Sequence, residues 1–565
     1  MKKFFMILSL GTALVWQSSV SYAQGNSVKE LPKGWHLLDK EKDGFYGISM
    51  EKAYEFVKGK KSNTIIVAVI DSGIDTLHED LKNILWTNPK EIPGNGIDDD
   101  KNGYVDDVHG WNFLGGKDGR NVKEDSYEGA RVYHKLKKIF GDKTIDTSTL
   151  AGEEKDQYQT WLKVKSSIEG DAANGGVDVM IMQRMVETLV KGDSVLRKSI
   201  GQDSYTGKDL DKYAPLNADE QKAKAVVLYM LKSNNMMETT NKEFIEGLQE
   251  YVSGELKKKE QLNKPPVDYR GEIVKDDESD INDKFYGNND IMAGTPMHGT
   301  HVSGIIAAQR NNGIGMDGVA DNVRIMMVRA VPDGDEHDKD IALAIRYAVD
   351  NGAKVINMSF GKSFSPQKKW VDDAVRYADS KGVLLVHAAG NDGNNVDSAD
   401  NFPNANLIAA KARAGNWITV GASSDPMAEP MFKSYTASFS NYGKKEVDVF
   451  SPGTKIYSTL PGGNNYGNLQ GTSMASPVVA GVAGFILSYY PNLSPEQVKY
   501  AIEKSATPLA TKVKLPSSDE MVQLSDISTS GGILNAYEAV KLASTLKSES
   551  NKQKLPKSTL KNKKG

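Results

Sequence analysis

Four short apolar runs, set among stretches of helical periodicity, constrain this chain more than any other feature. They are 65–70 (IIVAVI), 355–358 (VINM), 383–386 (VLLV) and 417–420 (WITV). Each is too short for a buried helix and lacks the alternation of a half-exposed strand, so each reads as a strand covered on both faces. Helical patterns at 340–351, 366–381 and 475–490 fall among them. Strands that alternate with helices predict an α/β fold with a doubly wound, mostly parallel sheet.

A second regime interrupts this alternation. Met182, Met185, Val186 and Leu189 share one helical face, as do Phe244, Leu248, Tyr251, Val252 and Leu256, and Pro265 and Pro266 close the stretch. This predicts an inserted all-α subdomain at 116–266, between a first part of the main domain at 47–115 and a second at 267–544. A lead-in at 24–46 precedes them, and a basic, disordered tail at 545–565 follows.

Residues 1–23 read as a secretory signal peptide. Lys2 and Lys3 precede an uncharged apolar stretch (FFMILSLGTALVW), and Ser21-Tyr22-Ala23 offers small residues at the two positions a signal peptidase reads. The alternative, an uncleaved anchor, is short for a bilayer. No other run is long and apolar enough to span one. The expected location is therefore outside the cytoplasm, in the periplasm or the medium. The chain has no cysteine. That excludes a disulfide scaffold and a thiol peptidase, and leaves bound Ca2+ as a stiffener suited to an exported protein. A formal net charge of -4 gives no global argument for nucleic acid or a membrane surface as partner.

Four motifs carry chemistry. VAVIDSGID (67–75) puts Asp71 at the end of an apolar strand, where open α/β sheets place their sites. An Asp there can orient a histidine, although Asp before Ser-Gly is also ordinary turn chemistry. HGTHVSGIIAA (298–308) puts His298 ahead of a small-residue helix. His298 and His301 lack the third ligand and the spacing of a zinc site. GTSMASPVVAG (471–481) puts Ser473 at the mouth of a helix expected to begin near Met474, with Pro477 in its first turn. Ser473 there is either a plain N-cap or a nucleophile beside N–H groups that can hold an oxyanion. HAAGNDG (387–393) sets Asn391 on a Gly-flanked loop, either as a turn residue or as an amide donor to an oxyanion. The order is Asp, His, Asn, Ser. No histidine follows Ser473, which excludes the esterase order of serine, acid, histidine.

Together these blocks resemble the subtilisin-like serine peptidases, or subtilases, over about 60–113 and 267–542. Asp, His, Ser is the chain order of subtilisin itself. The resemblance implies a serine endopeptidase that hydrolyses proteins or peptides through an acyl-enzyme. Ser473 would be the nucleophile, His298 the general base, Asp71 the group orienting it and Asn391 the oxyanion donor. NMSFG (357–361) is similar to one wall of the family's first specificity pocket, which would give Ser359, Phe360 and Gly361 that role. Ala388, Ala389 and Gly390 would form the opposing wall. Phe360 can equally be a core residue. NNGIGMDGVA (311–320) is similar to a family calcium loop: Asn312 would bind through its side chain, Ile314 and Met316 through carbonyls, and Asp80 through its carboxylate.

A second calcium candidate is read from spacing alone. In IDDDKNGYVDD (97–107), Asp98, Asp100, Asn102, Tyr104 and Asp106 fall at positions one, three, five, seven and nine of an EF-hand loop, with Gly103 at six. Position twelve is His109 rather than Glu, so the closing ligand is missing or comes from elsewhere, Asp107 being one candidate. A solvated acidic turn is the alternative. For the chain as a whole, the alternative to a peptidase is a catalytically silent subtilase-fold protein that binds peptides.

Overall fold

The computed structural model describes residues 31–547, apart from 142, 144, 234–236, 238, 239, 295, 430 and 431. The signal segment at 1–23 and nearly all of the tail at 545–565 lie outside the described residues. The chain divides into two compact units. One joins the residues up to Asp125 with those from Tyr269 onward; the other is Ser126–Asp268. Residues 116–125, which the sequence pattern assigned to the insertion, belong to the first unit.

The first unit is built on a nine-stranded sheet. Its principal strands are β1 (Ile65–Asp71), β2 (Gly110–Asn112), β3 (Val323–Arg329), β4 (Val355–Met358), β5 (Leu384–Ala388), β6 (Trp417–Ser423) and β7 (Val449–Pro452). Two-residue strands Thr507–Pro508 and Gly532–Ile533 extend one edge, giving the order Thr507–Pro508, Gly532–Ile533, β7, β6, β5, β4, β1, β3, β2. All pairings among β1 to β7 are parallel. β1 pairs β3 from Ile65↔Val323 to Asp71↔Arg329 and β4 from Val67↔Val355 to Ile70↔Met358. The chain thus turns to opposite sides of β1, and such a switch opens a crevice at the carboxyl ends of the strands.

β-branched and aliphatic residues make these strands because both faces are covered. Every residue of β4, β5, β6 and β7 is buried, and β1 departs from this only at Ile66. The helix Thr472–Tyr489 is the buried centre of one layer. Among the described residues it is the one helix long and apolar enough to cross a membrane, yet 89% of that window is buried inside the protein. Its small residues allow close packing: a Cβ on Gly481 would lie 2.7 Å from Val319 Cβ.

Residues 31–46, the described part of the lead-in, also pack into this unit. Trp35 is fully buried in the main apolar cluster, and its Nε1 donates to Thr454 O at 3.0 Å. Burying so large a ring with its N–H satisfied fastens the segment.

The second unit consists of the helices Glu128–Phe140, Gly152–Ile200, Gly207–Lys212, Ala218–Ser233 and Asn241–Asn263. The helical face read from sequence is present: Met182, Met185, Val186 and Leu189 are buried or half-buried, while Gln183, Arg184, Glu187 and Thr188 are exposed. Val227, Leu231, Phe244 and Leu248 add buried apolar groups from other helices.

Candidate active site

Three adjacent strands deliver three polar groups to one edge of the sheet. Asp71 ends β1, Ser359 follows β4, and Asn391 follows β5 by three residues. β1, β4 and β5 are neighbours, about 4.8 Å apart from one to the next. Two helices start at this edge, Met297–Ala307 with His298 in its first turn and Thr472–Tyr489 with Ser473 in its first turn.

Asp71 is 2% exposed. His298 Nδ1 lies 2.8 Å from its Oδ1 and 3.0 Å from its Oδ2, and Ser72 N donates to Oδ1 at 2.7 Å. A carboxylate accepts, so Nδ1 carries the hydrogen and Nε2 keeps a lone pair. The approach depends on Gly299, where a Cβ would lie 2.1 Å from Gly73 O and 3.1 Å from Asp71 Oδ1. Burial pushes the His298 pKa down, but the Asp71 charge and hydrogen bond outweigh it and hold the value above the usual one. His301 is different. Its Nε2 faces Gly467 O at 3.2 Å, and burial pushes its pKa down to about 3, so the ring stays neutral.

The Ser473 helix begins at Thr472, two residues before the expected start, so Pro477 sits at its sixth position rather than in the first turn. Proline has no N–H, so the Ser473 carbonyl receives no helical bond from it. Ser359 Oγ donates to that carbonyl at 3.0 Å, and Ser473 Oγ donates to Ser359 O at 3.0 Å. No hydrogen bond joins Ser473 to His298 among the described residues. Such bonds often close only when substrate is bound.

Asn391 is oriented by Thr472. Its Oδ1 accepts from Thr472 N at 2.8 Å and from Thr472 Oγ1 at 2.9 Å, and Gly390 N donates to Thr472 Oγ1 at 3.0 Å. With Oδ1 so engaged, Nδ2 is the donor end of the amide, and a Cβ on Gly471 would lie 3.5 Å from both Nδ2 and Ser473 N.

With the geometry described, known proteins supply the family. The profile of the Subtilase family matches residues 62–522. The chain belongs to the subtilase family. It is 43% identical to the thermophilic serine proteinase of Bacillus sp. (strain AK1), over 37% of this chain and 46% of that protein. It is 40% identical to thermitase of Thermoactinomyces vulgaris, over 39% of this chain and 71% of thermitase. It is 35% identical to the cell wall-associated protease of Bacillus subtilis (strain 168), over 42% of this chain and 24% of that protein. The match thus spans less than half the length of the first of these relatives and about a quarter of the last.

In this subtilase the expected pocket walls have distinct supports. Phe360 is half-buried against an apolar cluster, and its carbonyl accepts from His387 Nε2 at 2.8 Å. Burial pushes His387 down to about 4, so the ring is neutral. A Cβ on Gly361 would lie 2.8 Å from Asn401 Oδ1. Ala388 and Ala389 are buried, and Gly390 has φ +99°, which favours glycine. Ala389 O accepts from Asn401 Nδ2 at 2.9 Å and from Asn441 Nδ2 at 2.8 Å.

Several supporting residues escaped the reading of the sequence. Thr472 lay inside a recognised motif but was given no part. Asn357 Nδ2 donates to Ser359 Oγ at 3.0 Å, and its Oδ1 accepts from Ser476 Oγ at 2.8 Å. Arg329 is 1% exposed, with Nε 3.0 Å from both Ser72 O and Ala293 O, Nη1 3.0 Å from Asn112 Oδ1, and Nη2 2.6 Å from Val122 O. Burial pushes its pKa down to about 10, which still leaves it charged at neutral pH. Asn401 and Asn441 lie outside the motifs singled out in the sequence. Asn357→Leu should lower stability by about 1–3 kcal/mol, because Ser476 Oγ loses its acceptor and Ser359 Oγ loses a donor. A fall in melting temperature of several degrees by calorimetry is the expected readout, and no change would show that the network contributes nothing.

The first calcium candidate is drawn together. Asp80 is fully buried, and its carboxylate meets Asn312 Nδ2 at 2.5 Å, Met316 N at 3.3 Å and Tyr466 OH at 2.9 Å. Asn312 Oδ1 accepts from Ile314 N at 3.1 Å. A half-turn of this amide would bring its oxygen to the Asp80 side.

The second candidate is drawn together only in part. Asp98 accepts from Asn102 N at 3.1 Å and Gly103 N at 2.8 Å, as positions one, five and six require. Asp106 does not follow. It accepts from Gly94 N and Gly96 N at 2.8 Å and from Asn95 N at 3.2 Å, which satisfies it away from the expected register. The Asn102 side chain is also engaged, accepting from Tyr104 N at 2.8 Å and donating to Asp107 Oδ2 at 3.0 Å. Tyr104 is buried beside Trp111 and Tyr347. Asp107 is held by Tyr347 OH at 2.6 Å and Asn88 Nδ2 at 2.9 Å, and burial pushes its pKa up to about 6. His109 Nδ1 lies 2.6 Å from Trp86 O. The carboxylate that joins Asp98 and Asp100 is Glu91, seven residues ahead of Asp98; one oxygen of each lies within 4.8 Å of the others.

Proposed function

We propose that this subtilase is an exported serine endopeptidase acting on proteins or peptides. The observation that carries the reading is the His298–Asp71 pair set beside a helix whose first turn carries Ser473 and whose Thr472 is bound to Asn391. Ser473 Oγ attacks the scissile carbonyl, and its proton passes to His298 Nε2. Asp71 keeps the Nδ1 hydrogen in place and stabilises the imidazolium. The tetrahedral oxyanion is met by Asn391 Nδ2 and the Ser473 N–H. Collapse expels the amine, which takes the proton from His298 and leaves an acyl-enzyme; water then repeats the sequence to release the acid. Ser359, Phe360 and Gly361 form one wall of the pocket for the residue before the cut, and Ala388, Ala389 and Gly390 form the other.

Export rests on the pattern of residues 1–23. Ca2+ at the first candidate is held by Asp80, the Asn312 side-chain oxygen and the carbonyls of Ile314 and Met316. The residues fit, since the set is all oxygen with one carboxylate, and one amide turn completes it.

The test is hydrolysis of casein by the purified mature protein, with labelling by a fluorophosphonate. Cleavage with labelling supports the reading. A folded protein that does neither is the silent peptide-binding subtilase instead. Within an active enzyme, Asn391→Leu should lower kcat by about 10²–10³ with little change in KM, since the donor acts on the transition state. A rise in KM at constant kcat would assign Asn391 to substrate binding.

A further inference from the structure

We propose that Glu91, Asp98 and Asp100 form the core of a Ca2+ site whose defining ligand, Glu91, stands outside the acidic motif. The three carboxylates each place an oxygen within 4.8 Å of the other two. Glu91 is 7% exposed. Its Oε1 accepts from Asp99 N at 3.0 Å and Asp100 N at 3.1 Å, while its Oε2 is buried with no hydrogen-bond partner among the described residues. A buried carboxylate oxygen without a donor carries an uncompensated desolvation penalty, larger because the group is charged. Two further carboxylates beside it raise that cost through like-charge repulsion. Among the described residues the one ion pair to these carboxylates is Lys90 Nζ, 4.0 Å from Asp100 Oδ2 on a side chain 72% exposed, too far for a hydrogen bond and open to solvent screening.

A divalent cation removes both penalties. Asp98 and Asp100 already accept hydrogen bonds from Asn102 N, Gly103 N and Asn88 Nδ2. Each oxygen so used keeps a second lone pair for a metal. The donors are all oxygen, and the remaining positions are open to backbone carbonyls and water, which suits Ca2+ better than the stricter octahedron of Mg2+. The inference is separate from the peptidase reading, because it concerns cation binding and not Ser473.

The experiment uses mature full-length protein carrying Ser473→Ala, which prevents self-digestion. Calcium is titrated by calorimetry into this protein and into forms that also carry Glu91→Gln or Asp80→Asn. One equivalent should disappear in Glu91→Gln and one should remain in Asp80→Asn. Unchanged stoichiometry in Glu91→Gln, or no binding in Asp80→Asn, overturns the proposal. Melting temperatures provide a sign test. With chelator, Glu91→Gln should melt at or above the parent, because a repelling charge is gone. With excess Ca2+ it should melt several degrees below. A purely structural role for Glu91 would lower both values and overturn the proposal.

Discussion

Ser473→Ala should lower kcat on a chromogenic peptide about a millionfold, the size of the loss in subtilisin itself. Its melting temperature should stay within a few degrees of the parent. The two effects separate because the hydroxyl makes one hydrogen bond among the described residues, to Ser359 O at 3.0 Å. Losing such a bond costs about 1 kcal/mol, and alanine is the better helix former. The backbone that holds the helix start remains, since Thr472 N still donates to Asn391 Oδ1. Fluorophosphonate labelling should vanish with the activity. A loss below about a hundredfold would mean that Ser473 is not the nucleophile.

Asp71→Asn has the second largest expected effect, a fall of about 10⁴ in kcat. An asparagine can offer N–H to His298 Nδ1 and so favour the tautomer with hydrogen on Nε2, which cannot accept the Ser473 proton. The variant should also move the acid limb of the pH–rate profile. With His298 as the proposed base, activity should need its neutral form and so should rise as pH passes the folded pKa. That value lies above the ordinary one because Asp71 outweighs burial. Without the carboxylate, burial remains and the limb moves to lower pH. Stability runs the other way. The charged His298–Asp71 pair contributes fully below the unfolded pKa of about 6.5, and its contribution is lost as pH rises through the raised folded value. Measuring kcat/KM against pH for parent and variant decides the matter; an acid limb that does not move would mean that Asp71 does not set the pKa of His298.

The sheet was legible because a strand buried on both faces has to be apolar throughout, and IIVAVI, VINM, VLLV and WITV each lie in or across a strand. Asp71, His298, Asn391 and Ser473 were legible as candidates because their motifs lie at strand ends and helix starts. What escaped notice were residues whose partners are distant in sequence. Asn441 reaches Ala389 O across 52 positions, and Arg329 reaches Ser72 O across 257. No local pattern marks such a residue. The acidic loop shows the converse. Spacing alone put Asp106 among the ligands, but three nearby N–H groups compete for it, and the carboxylate grouped with Asp98 and Asp100, Glu91, lies outside the motif.

The insertion between Asp71 and His298 also sets a timetable. β1 is paired on both edges, by β3 and β4, yet its partners are translated only after residue 322. At ordinary rates of synthesis the finished β1 waits on the order of tens of seconds with both edges unpaired. In that interval it is a template for any other extended chain. A helical unit that folds on local contacts as it emerges shortens the loop that must close between Asp71 and His298, 227 positions apart. Replacing 143 flexible residues, Ser126–Asp268, by a folded body saves about 1 kcal/mol of closure entropy. Destabilising the helical unit should therefore reduce the yield of soluble protein during synthesis before it changes any property of molecules that have already folded.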